Sequence, residues 1–166
     1  MKAFLASVLL AITSFSASAE NSALNENMQI VGETEYILVE DVAMNYLARI
    51  DTGANSTSIH AIDIEVEGAT DDKNMRDHVG KTVHFTTINE NDEKIRHQAE
   101  IHKVSIIRNA QGEERRYSVV MNLNFNGETR PVIVNLRDRS RMTYKLLIGR
   151  NWLRGNYLVD VSKSAH

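Results

Sequence analysis

From Gly32 onward apolar and polar residues alternate with a period of two, rich in β-branched and aromatic side chains, and no long stretch keeps a helical repeat. This pattern predicts a mainly β domain. A first strand runs through Glu35-Tyr36-Ile37-Leu38-Val39, turns near Glu40-Asp41 and returns from Met44 to Ile50, delivering Asp51 at a strand end. Between Glu65 and Gly80 the chain turns polar around Asp71-Asp72-Lys73-Asn74, which predicts a surface loop. Strands resume from Lys81 to Ile88. Turns are expected at Asn89-Glu90-Asn91-Asp92, Asn109-Ala110-Gln111-Gly112 and Asn126-Gly127, the last being the sharpest signal because both residues tolerate positive φ. Pro131 has no backbone donor, so its strand is expected to lie at an edge or to begin there. Near the end an apolar run from Tyr144 to Ile148 stops at Gly149; one short helix, Arg150-Asn151-Trp152-Leu153, and a last strand, Tyr157 to Val161, follow.

The N-terminus breaks this pattern. Met1-Lys2 is a short positive start, Ala3 to Phe15 is almost entirely apolar, and Ala17-Ser18-Ala19 has the small-x-small form that a signal peptidase needs. Residues 1–19 therefore read as an export signal, too short for a stable membrane anchor once cleaved. Residues 20–29 are polar and read as a flexible arm, and 30–166 as one domain. The expected location is periplasmic or secreted.

Composition narrows the chemistry. Cysteine is absent, which excludes a thiol nucleophile, a thiolate zinc site and a disulfide framework. The formal charge of −3 gives no reason to expect a nucleic-acid partner. The histidines at 60, 78, 84, 97 and 102 show no His-Glu-x-x-His spacing, and no glycine-rich phosphate loop is present. No metal and no cofactor is expected.

Two segments carry the functional reading. In Ile50-Asp51-Thr52-Gly53-Ala54 a strand ends, a carboxylate emerges and a glycine permits close backbone approach. Alone, an Asp-Thr-Gly is equally a solvated turn. The second segment is Leu147-Ile148-Gly149-Arg150-Asn151-Trp152-Leu153. Together they resemble the retropepsins, in which an apolar strand leads to Asp-Thr-Gly-Ala and a later Gly-Arg-Asn run precedes a short helix and a final strand. More closely, the chain resembles the bacterial retropepsin-like aspartic endopeptidase family formerly labelled putative ATP-dependent zinc protease, through Ala48-Arg49-Ile50-Asp51-Thr52-Gly53-Ala54 and Leu147-Ile148-Gly149-Arg150.

The resemblance implies an all-β, closed acid-protease barrel with one short C-terminal helix, and Asp51 as the catalytic carboxylate. Aspartic peptidases need two such carboxylates sharing a proton, one to activate water and one to protonate the carbonyl oxygen. No second Asp-Thr-Gly or Asp-Ser-Gly occurs, so a homodimer is expected to supply it, with a peptide or protein as substrate. By resemblance, Thr52 bonds across the twofold axis, Gly53 offers backbone to substrate, Ala54 completes the loop, Gly149, Arg150 and Asn151 support it, and Tyr157 to Val161 joins an intersubunit sheet. Asn55 stands where retropepsins usually carry an acidic partner for the arginine of the Gly-Arg-Asn run, so Arg150 is expected to need another partner, with Asp160 a candidate. Arg49, two residues before Asp51, is expected on the cleft face of its strand, where it and Asn55 are candidate substrate contacts, Arg49 favouring acidic side chains. A flap is expected at Asn89 to Asp92 or at Asn109 to Gly112, the second being favoured by its longer flanking strands. The alternative function is a catalytically inactive periplasmic peptide-binding module on the same barrel.

Overall fold

The computed structural model describes residues 28–69, 72–109 and 112–165. The expected export signal lies outside the described residues, as does the arm except for its last two positions, where Gln29 already begins a strand. The elements in order are β1 (Gln29–Val31), β2 (Thr34–Val39), β3 (Met44–Ile50), β4 (Thr57–His60), β5 (Ile62–Val66), β6 (Thr82–Ile88), β7 (Lys94–Glu100), β8 (Lys103–Asn109), β9 (Gly112–Phe125), β10 (Glu128–Arg137), β11 (Leu146–Ile148), α1 (Arg150–Leu153) and β12 (Tyr157–Val159). The described residues are all-β with one short α-helix.

Six strands close on themselves in the order β10-β4-β11-β3-β2-β9, with β9 returning to β10 and β8 extending the sheet from β9. Closure follows from alternation: Met44, Tyr46, Ala48 and Ile50 of β3 point inward, as do Ile37 and Val39 of β2, Val119, Met121 and Leu123 of β9, and Val132, Val134 and Leu136 of β10. These side chains form one buried cluster. Trp152 of α1 closes it at one end, stacked 4.1 Å from Tyr157, which meets Phe125 edge-on. Aromatic groups of this size contribute burial that no short helix could gain from its own hydrogen bonds.

β9 is long because it serves two neighbours: its first half pairs with β8 from Gly112 to Ser118, its second with β10 from Ser118 to Phe125. Asn126 and Gly127 turn the chain into β10, both at positive φ. Pro131 sits inside β10 rather than at its start, opposite Asn122, whose N–H donates to Asp41 instead, and before the pairing with β4 begins at Val134. The missing donor is therefore tolerated without loss of a ladder bond.

The polar stretch predicted as a loop from 65 to 80 contains regular structure: β5 reaches Val66, and a kinked 3-10 segment spans Asp72–His78. β5, β6 and β7 form a separate antiparallel sheet. Its β6–β7 turn is fastened to the barrel by Glu90, which accepts from the backbone N–H groups of Leu47 and Lys145. The last strand ends at Val159 and pairs in parallel with β1 of its own chain.

Candidate active site

The topology decides where Asp51 emerges. β3 and β11 run parallel with Ile50 opposite Ile148, so the loop after β3 and the Gly149 turn after β11 leave the barrel side by side. Asp51 N–H donates to Ile148 O (2.9 Å), tying the first to the second. The carboxylate is half-buried and held by its own loop: Oδ1 accepts from Gly53 N (2.9 Å) and Ala54 N (3.1 Å). One oxygen is thus fixed by backbone donors, while Oδ2 has no hydrogen bond among the described residues. Thr52 and Gly53 are exposed on the single chain.

The Gly149-Arg150-Asn151 segment is the scaffold for this loop. A Cβ at Gly149 would lie 2.5–2.8 Å from the Ser56 backbone, so no larger residue fits. Arg150 N–H donates to Ala54 O (2.9 Å), and its guanidinium donates to Thr52 O (3.1 Å), Gly53 O (3.3 Å) and the Asn55 side-chain oxygen. Asn151 Oδ1 accepts from both N–H and Oγ1 of Thr57, and its amide donates to Ile133 O. The expectation that Arg150 lacks a partner beside Asn55 is corrected: the amide oxygen and two carbonyls replace a carboxylate. Asp160 is not that partner, since it accepts from Ser162.

Beside the loop opens a cleft of about 670 Å³, walled by Gly53–Ser56, Ser58, residues 103–108 of β8, Arg116, Asn135, Arg137, Arg139 and Leu147. Five cations line it: Lys103, Arg108, Arg116, Arg137 and Arg139. No Asp or Glu is among the lining residues. Glu114, behind them, takes Arg116 Nε at 2.7 Å, and that bond holds its carboxyl below the usual range. Arg139 is 5 % exposed. Burial, with Arg137 and Arg116 adding repulsion, pushes its guanidinium down to about 10, against the pull of Glu90 and Asp51. It remains a cation at neutral pH.

Asp51, Thr52, Gly53, Ala54, Asn55, Gly149, Arg150 and Asn151 therefore form one contiguous unit. Arg49 does not join them: it pairs with Glu33 at 3.1 Å and does not line the cleft, because β2 lies alongside, Thr34 facing Arg49, and the turn before it supplies the carboxylate. Of the two hairpins considered for a flap, β8–β9 borders the cleft. The β6–β7 turn is held to the barrel, with Asn89 donating to Asn45 O (2.9 Å). The sequence reading missed Arg116, Arg137 and Arg139; the signal was a polar residue at every second position from Glu114 to Ser118 and from Asn135 to Arg139. Among the described residues no group of three His, Cys, Asp or Glu is placed to hold a metal.

A closed barrel that brings an Asp-Thr-Gly-Ala loop and a Gly-Arg-Asn turn out of adjacent parallel strands defines the retropepsin-like class of folds. Within that class the chain belongs to the RimB-like family, whose model, described as retropepsin-like aspartic endopeptidase RimB, matches residues 30–166. A crystal structure of a protein of unknown function from Legionella pneumophila is similar, with a TM-score of 0.65 and 26 % identity over 82 % of this chain and 95 % of that one. Two proteins called probable alpha-L-glutamate ligase are also similar. The one from Parasynechococcus marenigrum is 30 % identical over 79 % of this chain, and the one from Shewanella pealeana 28 % identical over 85 %. The match covers 28 % and 30 % of those proteins, so this chain corresponds to under a third of their length.

Proposed function

We propose that the protein is an exported, homodimeric aspartic endopeptidase that cleaves peptides carrying acidic side chains. The observation that carries the reading is the Asp51 carboxylate, fixed through one oxygen by Gly53 and Ala54 N–H, with its other oxygen unbonded among the described residues, in a loop whose Gly53 and Ala54 line the cleft. In a twofold pair the two Asp51 groups share a proton; the ionised one takes a proton from water as it attacks the scissile carbonyl carbon, and the protonated one gives its proton to the carbonyl oxygen. Collapse of the tetrahedral species then breaks the C–N bond, with a proton going to the leaving amine. Exposed Thr52 and, beside it, the exposed apolar side chain of Leu158 support burial against a second copy. That β8 and Arg116 of β9 line the cleft supports a flap at the β8–β9 hairpin.

The acidic preference is supported by the five lining cations in a chain whose overall charge is −3. It also agrees with the name of the ligase relatives, which refers to glutamate. Export, read from residues 1–19, would put the reaction in the periplasm. The test is cleavage of an acidic peptide library followed by mass spectrometry. Activity should survive chelators, fall with pepstatin-like inhibitors and vanish in Asp51→Asn; full activity in Asp51→Asn would end the proposal. Peptide affinity with no cleavage by the parent would assign the binding-module function instead.

A further inference from the structure

The wall of the cleft contains polar groups that the paired-aspartate chemistry does not use. Sheet register places Ser58 of β4, Asn135 of β10 and Ser118 of β9 in one row, Asn135 being the direct partner of both serines. All three are buried. The row is ordered from one end: Ser105 Oγ and Ser118 Oγ lie 2.6 Å apart, and Ser118 Oγ donates to Asn135 Oδ1 at 2.7 Å. That bond fixes the amide's orientation and leaves its NH₂ as the group presented to the cleft. Ser58 Oγ is buried with no hydrogen-bond partner.

Arg139 lies beyond this row. Its Nε donates to Tyr144 O (3.0 Å) and its backbone N–H to His60 Nδ1 (2.9 Å), so the side chain is aimed. Its two terminal nitrogens make no hydrogen bond among the described residues, although the residue is buried. Of these donors Ser58 Oγ, shut off without a partner, is costly in the empty site, and all three can be satisfied by an acceptor that enters it. Three donor groups of this kind, one of them cationic, with no carboxylate among the lining residues, match a carboxylate rather than an apolar side chain or an amide.

We propose that Ser58, Asn135 and Arg139 form a carboxylate subsite beside Asp51 that takes the side chain of one acidic residue close to the scissile bond, with Arg139 as the specificity-determining residue. The place of this subsite in a reaction rests on the peptidase reading; its ligand preference does not. Leu147, paired with Ser58 across β4 and β11, gives the methylene part of that side chain an apolar contact.

The experiment uses the full chain and fluorescein-labelled decapeptides in which a single Glu is scanned along the sequence, each with a Gln twin. Affinities are read on Asp51→Asn and kcat/KM on the parent. One Glu position should bind about tenfold more tightly than its Gln twin, as expected for a charge-assisted pair. Arg139→Met should abolish that ratio through the Glu peptide alone, with the Gln peptide unchanged within about twofold. Should Arg139→Met fail to fold, Ser58→Ala removes only an unbonded hydroxyl and should lower the same ratio by about threefold. Equal binding of Glu and Gln twins at every position, or a ratio untouched by these substitutions in folded protein, would overturn the subsite. If Asp51→Asn shows the Glu preference while the parent cleaves nothing, the subsite stands and the peptidase reading falls.

Discussion

The Asp51 loop has its geometry only because Gly149 has no side chain. The close approach of Gly149 to Ser56 lets Arg150 and Asn151 reach the loop, and through them the loop carbonyls and Thr57 are fixed. Gly149→Ala should therefore cost about 1–3 kcal/mol by forced overpacking and reduce activity further by displacing the loop; denaturant unfolding and kcat on the same sample would separate the two effects. Asn151→Ala should strand the N–H of buried Thr57, at about 1–3 kcal/mol, whereas the carbonyl of Ile133, at an exposed bond, turns to water. His60 adds a pH dependence. Its buried Nδ1 accepts the Arg139 N–H, so the neutral ring is required, and burial lowers its pKa from 6.5, with Lys145 and Arg139 acting the same way and Asp138 opposing. The unfolded chain takes up this proton first as pH falls. The His60 contribution to stability is therefore complete above about pH 6.5 and is lost below it, at no more than about 1.4 kcal/mol per pH unit. Asn at this position offers an acceptor that does not titrate, so His60→Asn should flatten this part of the stability profile in thermal melts across pH 4 to 8.

Elements differ in how far they could be read from the chain alone. The β2–β3 meander, the Asn126-Gly127 hairpin and α1 were legible because each depends on local chemistry: alternation, positive φ, and an apolar run stopped by glycine. The loop and its Gly-Arg-Asn support were legible as paired motifs. The cleft wall was not, since Ser118 and Asn135 meet at the far end of the β9–β10 hairpin and Ser58 joins them only through the non-local parallel β4–β10 pairing. Arg49 was misplaced for a related reason: alternation gives a face, but Glu33, brought alongside by the β2–β3 register, decides the side chain's direction. At this scale α1 is the element whose loss matters most. Trp152→Ala should destabilise by about 3–5 kcal/mol, visible as a lowered unfolding midpoint, because the buried indole is stacked on Tyr157 of β12 and anchors the turn that holds Arg150.

For the whole molecule, the proposed function turns on the distribution of charge and on a second carboxylate. Five cations around one cleft in an anionic chain should draw acidic peptides in, so KM for such a peptide should rise several-fold between about 50 and 500 mM salt while kcat changes little. The second carboxylate is the central claim of the proposed function, in which one Asp51 is half of a dyad; its loop leaves the barrel with Thr52 exposed. Co-refolding the parent with an equal amount of Asp51→Asn tests it most directly. Random pairing leaves about one quarter of dimers with two Asp51 groups, so cleavage of an acidic peptide should fall to about a quarter of the rate of the same total protein as parent. A rate of about one half, in proportion to the parent present, would mean that each chain works alone and would contradict a site built from two copies.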